Sequence, residues 1–145
     1  MTPKKLKQVL NEKEASCILF QEEQVLMTSY EKGVLPLWRF MTEQKSLPTG
    51  DLEVADKMVG RAVAYLLVSL GVSQVYTKVI SETALEVLKD YPIRITYDEL
   101  VPFILNRTRD GQCPMDQALT QVVSVKEAYD LIDTFVRRRL AQAQS

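Results

Sequence analysis

Val54-Ala55-Asp56-Lys57-Met58-Val59-Gly60-Arg61-Ala62-Val63-Ala64-Tyr65-Leu66-Leu67-Val68-Ser69-Leu70, closed by Gly71, is the most apolar stretch of the chain. Its apolar residues recur at helical spacing and cover more than one face. Thr49 or Asp51 offers a cap before the run, and Gly71 a stop after it. The pattern predicts one helix over about 54–70, buried between layers, whose first turn, with Asp56 and Lys57, alone meets solvent or ligand. The uncharged remainder, 62–72, is too short to span a bilayer.

Residues 3–13 predict a helix striped by Leu6, Val9 and Leu10. Residues 15–20 and 25–29 are compact β-type runs joined by Gln21-Glu22-Glu23-Gln24, which predicts a hairpin. A helix over 35–44 tolerates Pro36 in its first turn. On the other side, 74–80 reads as a strand running directly into a helix over 81–88, which Pro92 ends. Residues 93–97 alternate as a further strand, and 98–123 read as a long connection with short helical pieces. Ser124-Val125-Lys126-Glu127 is a capping box opening a last amphipathic helix. Hairpin, helix, strand, helix, strand describes an α/β domain over 1–145, with a mixed sheet of four to five strands and helices on both faces.

Composition narrows the function classes. The 145 residues carry 46% apolar and 26% charged side chains, enough for a packed core. Eighteen Lys and Arg against nineteen Asp and Glu give a net charge of -1, which argues against a nucleic-acid-coating protein. The chain has no histidine, so imidazole bases, imidazole metal ligands and Ser-His pairs are excluded. Residues 1–12 contain no apolar signal core, and Cys17 and Cys113 read as reduced thiols of a cytoplasmic protein. No membrane partner is expected.

Ligands of such sheets bind beyond the carboxyl ends of strands, where helix N-termini offer free N–H groups. The pattern offers two such starts, 54–57 and 80–83. Asp56, Ser81 and Glu82 would face one another there if the two helix starts lie side by side. Plain helix capping explains each residue taken singly. A third segment, Asn106-Arg107-Thr108-Arg109-Asp110-Gly111-Gln112-Cys113-Pro114-Met115-Asp116, is densely polar. Cys113 before Pro114 would sit at a helix start, with its thiol pKa lowered by Arg107 or Arg109. It has no histidine base, and Asp116 substitutes for one poorly. Arg137-Arg138-Arg139 reads as dipole-complementing cations near a helix end. Two distant cysteines build no zinc constellation, so no metal or cofactor is expected.

Residues 54–62, residues 79–85, and Asn106-Arg107 with Cys113-Pro114-Met115 together resemble a prokaryotic family of unknown function assigned to the cytidine-deaminase-like fold. The resemblance spans about Ser16 to Asp133. It implies a three-layer α/β/α sandwich. Zinc deaminases carry His-Ala-Glu at one helix start and Pro-Cys-x-x-Cys at the next. By the resemblance Val54 and Asp56 stand where the His and Glu would be, and Glu82 and Leu85 where the cysteines would be. Without those ligands, zinc-dependent deamination is excluded. The expectation is a nucleotide-like or other anionic small ligand held by Asp56, Lys57, Ser81, Glu82, Asn106 and Arg107 in the metal-free pocket. The alternatives are a Cys113-dependent enzyme, or a homo-oligomeric interaction module using the apolar faces of 34–44 or 125–140; the resemblance implies a homo-oligomer in any case, because relatives of that fold often assemble.

Overall fold

The protein is described by a computed structural model covering residues 1–104 and 114–143. Its elements run α1 (Pro3–Lys13), β1 (Cys17–Gln21), β2 (Gln24–Ser29), α2 (Leu35–Glu43), β3 (Leu52–Val59), α3 (Arg61–Leu70), β4 (Val72–Ser81), α4 (Glu82–Leu88), β5 (Arg94–Val101), α5 (Pro114–Ala118) and α6 (Val125–Ala143). A 3-10 turn, Leu119–Gln121, links the last two helices. The five strands form one mixed sheet in the order β2-β1-β3-β4-β5. β1 is antiparallel to β2 and β3, whereas β3, β4 and β5 are mutually parallel.

The helix expected over 54–70 is two elements. Residues 54–59 belong to β3, and only 61–70 are helical. β3 lies at the centre of the sheet between β1 and β4, so both of its faces are covered. A strand buried on two sides carries a continuous apolar run, which a short window cannot tell from a buried helix. Gly60 is the punctuation that separates them. It adopts extended backbone before α3, and a Cβ there would come within 2.7 Å of Ile104 Cγ1. That close approach, and not a left-handed turn, is what requires glycine.

The sheet separates two cores. Leu6 and Leu10 of α1 cover Ile18, Phe20, Ala55 and Tyr76 on one face. On the other, α2, α3, α4, α5 and α6 pack against Leu19, Val54, Val75 and Ile80. α3 is central to this layer and buries Ala62, Val63, Ala64, Leu66, Leu67 and Leu70. Each large apolar side chain among them stabilises the fold by roughly 1.5–3 kcal/mol. The apolar stripes expected as a homodimer face are spent here: Leu37, Trp38, Phe40 and Met41 of α2, and Ala128, Ile132 and Val136 of α6, are buried in the chain's own core. Trp38 also donates to Asp133 at 2.8 Å, and the Arg137 guanidinium lies 5.3 Å from its ring centroid.

The remaining boundaries follow local chemistry. Thr2 caps α1 and Ser81 caps α4 through their hydroxyls. Ser124 accepts from Glu127 N, and the Glu127 carboxylate reaches back to Val123 N. β5 extends to Val101, four residues past the alternating run that marks it. The β1–β2 hairpin turns on Glu22 and Glu23, at φ 50° and 66° between the paired Gln21 and Gln24. Both central residues are left-handed, the geometry that normally selects Asn-Gly. Among the described residues, no helix is long and apolar enough to cross a membrane.

Candidate functional site

Parallel pairing of β3 with β4 sets Val59 opposite Ile80. The next residues begin α3 and α4, so two helix starts open on the same carboxyl edge of the sheet. The expected pairing of helix starts holds for 80–83, but its partner is Gly60-Arg61 and not 54–57. Asp56 lies about 13 Å back along β3, at roughly 3.3 Å per residue. It does not share the crevice with Ser81.

Asp56 is buried opposite Cys17 in the β1–β3 pair. Its carboxylate accepts from the backbone N–H of Met58 at 3.3 Å, from that of Lys57, and from the Cys17 thiol. Burial pushes its pKa up to about 7, against the lowering effect of those three donors. Burial first, and the neighbouring Asp56 carboxylate second, push the Cys17 thiol well above its ordinary value. Lys57 is exposed, and its N–H donates to Ser16 O at 3.0 Å, just beyond the paired end of β1.

At the crevice itself the capping groups are already engaged. Ser81 is buried; its Oγ accepts from Ala84 N at 3.0 Å and shares a hydrogen bond with Thr83 Oγ1 at 2.7 Å. Glu82 is exposed in the first turn of α4. The start of α3 is capped from far along the chain: Arg61 N donates to Asp116 Oδ1 at 3.1 Å, and Arg61 Nη1 to Asp116 O at 3.3 Å. Asp116 is itself buried. Its carboxylate stands where an anionic ligand of the α3 dipole would sit. The connection after β5 is thus fixed on the crevice twice, by Ile104 against Gly60 and by Asp116 on Arg61. Asn106, Arg107 and Cys113 lie between these anchors, outside the described residues.

Between α3 and α4 runs an open groove of about 220 Å³, lined by Arg61, Tyr65, Thr83, Glu86, Leu119 and Thr120 among others. A larger, shallow depression lies on the outer side of α6 and α5, between Ala118 and Arg138, and contains neither helix start. Among the described residues, the two helix starts offer no zinc-ligand set. Gly60-Arg61-Ala62 and Ser81-Glu82-Thr83-Ala84-Leu85 supply one carboxylate between them, and Val54 is buried in mid-strand. Among the described residues, no three His, Cys, Asp or Glu side chains are grouped to hold a metal ion.

Sequence reasoning missed Gly60, Arg61, Ile104 and the capping role of Asp116. The available signal was Gly60 followed by Arg61, a break with a charge inside an otherwise apolar run. Nothing local marks Asp116 as the cap of a helix 55 positions earlier.

Fold and crevice define a mixed α/β protein with two helix starts at the carboxyl ends of adjacent central strands. The chain belongs to the TM1506 family, a domain of unknown function (DUF1893), whose profile matches residues 5–136. It is similar to the crystal structure of the DUF1893 family protein TM1506 from Thermotoga maritima, with a TM-score of 0.80 at 24% identity over 90% of this chain and 87% of that one. That likeness establishes the shared fold. No curated protein matches.

Proposed function

We propose that the protein binds a small anionic ligand of nucleotide type at the carboxyl edge of β3 and β4, on a cytidine-deaminase-like scaffold that has lost its zinc ligands. The observation that carries this reading is the pair of helix starts, Arg61 and Glu82, set side by side by the Val59–Ile80 register. Arg61 lines the groove between them, and the guanidinium N–H groups not used on Asp116 O are donors for a phosphate or carboxylate. Thr83 adds a hydroxyl, and Glu82 and Glu86 are acceptors for ribose or base donors. Of the residues first expected at the ligand, Ser81 and Glu82 stay at this crevice. Asp56 and Lys57 are replaced in that role by Arg61 and Thr83. Asn106 and Arg107 remain part of the proposal, because the residues flanking their segment, Ile104 and Asp116, rest against Gly60 and Arg61. The chain has no histidine to serve as an imidazole base, and our reading is of a binding site in a cytoplasmic protein.

Thermal denaturation against a panel of nucleosides, nucleoside mono- and diphosphates, and inorganic phosphate tests this. Binding raises Tm with ligand concentration, because a ligand at 100 times its Kd stabilises by about 2.7 kcal/mol. The rise is expected with the phosphorylated members and is lost in Arg61→Ala, whose backbone cap to Asp116 survives. A Tm unmoved by every compound at millimolar concentration overturns the reading.

A further inference from the structure

Among the described residues, β5 is an edge strand whose only strand neighbour is β4. It runs for eight residues between Pro92 and Pro102, and contains neither lysine nor proline. Natural edges are commonly blunted by charges, above all lysine, by proline, by bulges or by being short; the charges of β5 are mixed in sign, Arg94 with Asp98 and Glu99. The opposite edge, β2, is shorter and is paired to β1 through an irregular register at Leu19 and Phe20. β5 is regular and exposed, with Tyr97 40% and Leu100 43% accessible.

We propose that the outer edge of β5 pairs antiparallel with β5 of a second copy of this chain, across a two-fold axis at Thr96. The argument is charge and shape complementarity within Arg94-Ile95-Thr96-Tyr97-Asp98. Opposed residues in an antiparallel pair face the same side of the sheet, so the two-fold must pass through a residue facing its own copy. With Thr96 on the axis, Arg94 lies opposite the partner's Asp98 and Ile95 opposite the partner's Tyr97, each pair occurring twice. Opposite charges, and an aromatic against a β-branched residue, are favourable cross-strand pairs. With Tyr97 on the axis, Ile95 would face Glu99 and Arg94 would face Leu100. With Asp98 on the axis, two carboxylates would oppose each other.

Asp98 is prepared for this role. Tyr76 donates to it at 2.7 Å and Lys7 lies 3.0 Å away, and these contacts hold its carboxyl below the ordinary carboxylate range. It therefore remains anionic opposite Arg94. The pairing joins two five-stranded sheets into one continuous sheet and brings the exposed Tyr97 ring over the partner's Ile95. This inference is independent of any ligand at the crevice.

The test uses the full chain in a Cys113→Ser background, where the remaining thiol, Cys17, is buried. Thr96→Cys places two thiols about 5 Å apart across the axis. Glu99→Cys places them roughly 20 Å apart, six residues along the strands. A short bismaleimide is expected to link Thr96→Cys into dimers at least tenfold faster than Glu99→Cys. Sedimentation equilibrium of the unmodified chain is expected to show a concentration-dependent dimer. Arg94→Glu should weaken it at least tenfold while keeping its circular dichroism and Tm. Equal cross-linking at both positions, a monomer at every concentration up to millimolar, or an Arg94→Glu dimer as tight as the parent overturns the proposal.

Discussion

Asp56 is a buried carboxyl whose titration is moved far from its ordinary range. Its pKa is 3.8 in an exposed setting and about 7 in the fold, chiefly because burial penalises the carboxylate. Between those two values the unfolded chain has released the proton that the folded chain still holds. Stability from this group is therefore complete below pH 4 and is lost as pH rises towards 7, by about 1.4 kcal/mol per unit. Asp56→Asn removes the titration while keeping an acceptor for Met58 and Lys57. Denaturant unfolding at pH 4 and at pH 7.5 should show the variant gaining roughly 3–4 kcal/mol on the parent across that interval. A constant difference between them would show that Asp56 does not titrate inside the fold. The sequence marked Asp56 as notable, as an acidic residue in an apolar stretch, but not its neighbour. Cys17 is 39 positions away, and only the β1–β3 register brings the two together.

At the scale of elements, the decisive feature is the turn from β3 into α3. Gly60 has no side chain because Ile104 fills the space, and Asp116 closes the exposed N–H of Arg61. Gly60→Ala forces a methyl into that contact and should cost about 1–3 kcal/mol, the usual cost of overpacking. Ile104→Ala removes the obstructing atoms. The double variant should therefore be more stable than the sum of the two single losses, a coupling that urea denaturation of all four proteins would measure. Additive losses would mean that the two residues do not meet. Most elements were legible: α1, α4 and α6 announce themselves by caps and period, and the hairpin by two β-type runs around a polar turn. The 54–70 segment was not, since a central strand followed by a buried helix gives one unbroken apolar run. Its division rests on tertiary contact at Gly60, which no short window contains.

On the scale of the whole molecule, a mixed sheet with helices on both faces was readable from the order of hairpin, helix, strand, helix and strand, although its central strand β3 lay hidden in the apolar run. Its edges were not, because exposure of β5 depends on which strand ends the sheet. The candidate site was legible only in part: Ser81 and Glu82 are at the crevice, whereas Arg61 arrives there through the correct placement of α3. Cys17 reports on the assembly as a whole. It lies in the larger of the two cores, on a strand hydrogen-bonded on both sides. Its alkylation by iodoacetamide in a Cys113→Ser background should match the global unfolding rate across a urea series. Faster labelling at low urea would reveal local opening of β1.

The hairpin tip has a further implication. Glu22 and Glu23 hold a backbone shape that neither favours, with two like charges adjacent. A turn of that composition has little capacity to seed the structure around it. β1 is instead aligned by its contacts with β3, from Cys17 against Asp56 to Gln21 against Leu52. The bend is thus a product of the completed sheet, and an excised 17–29 peptide lacks the means to reproduce it.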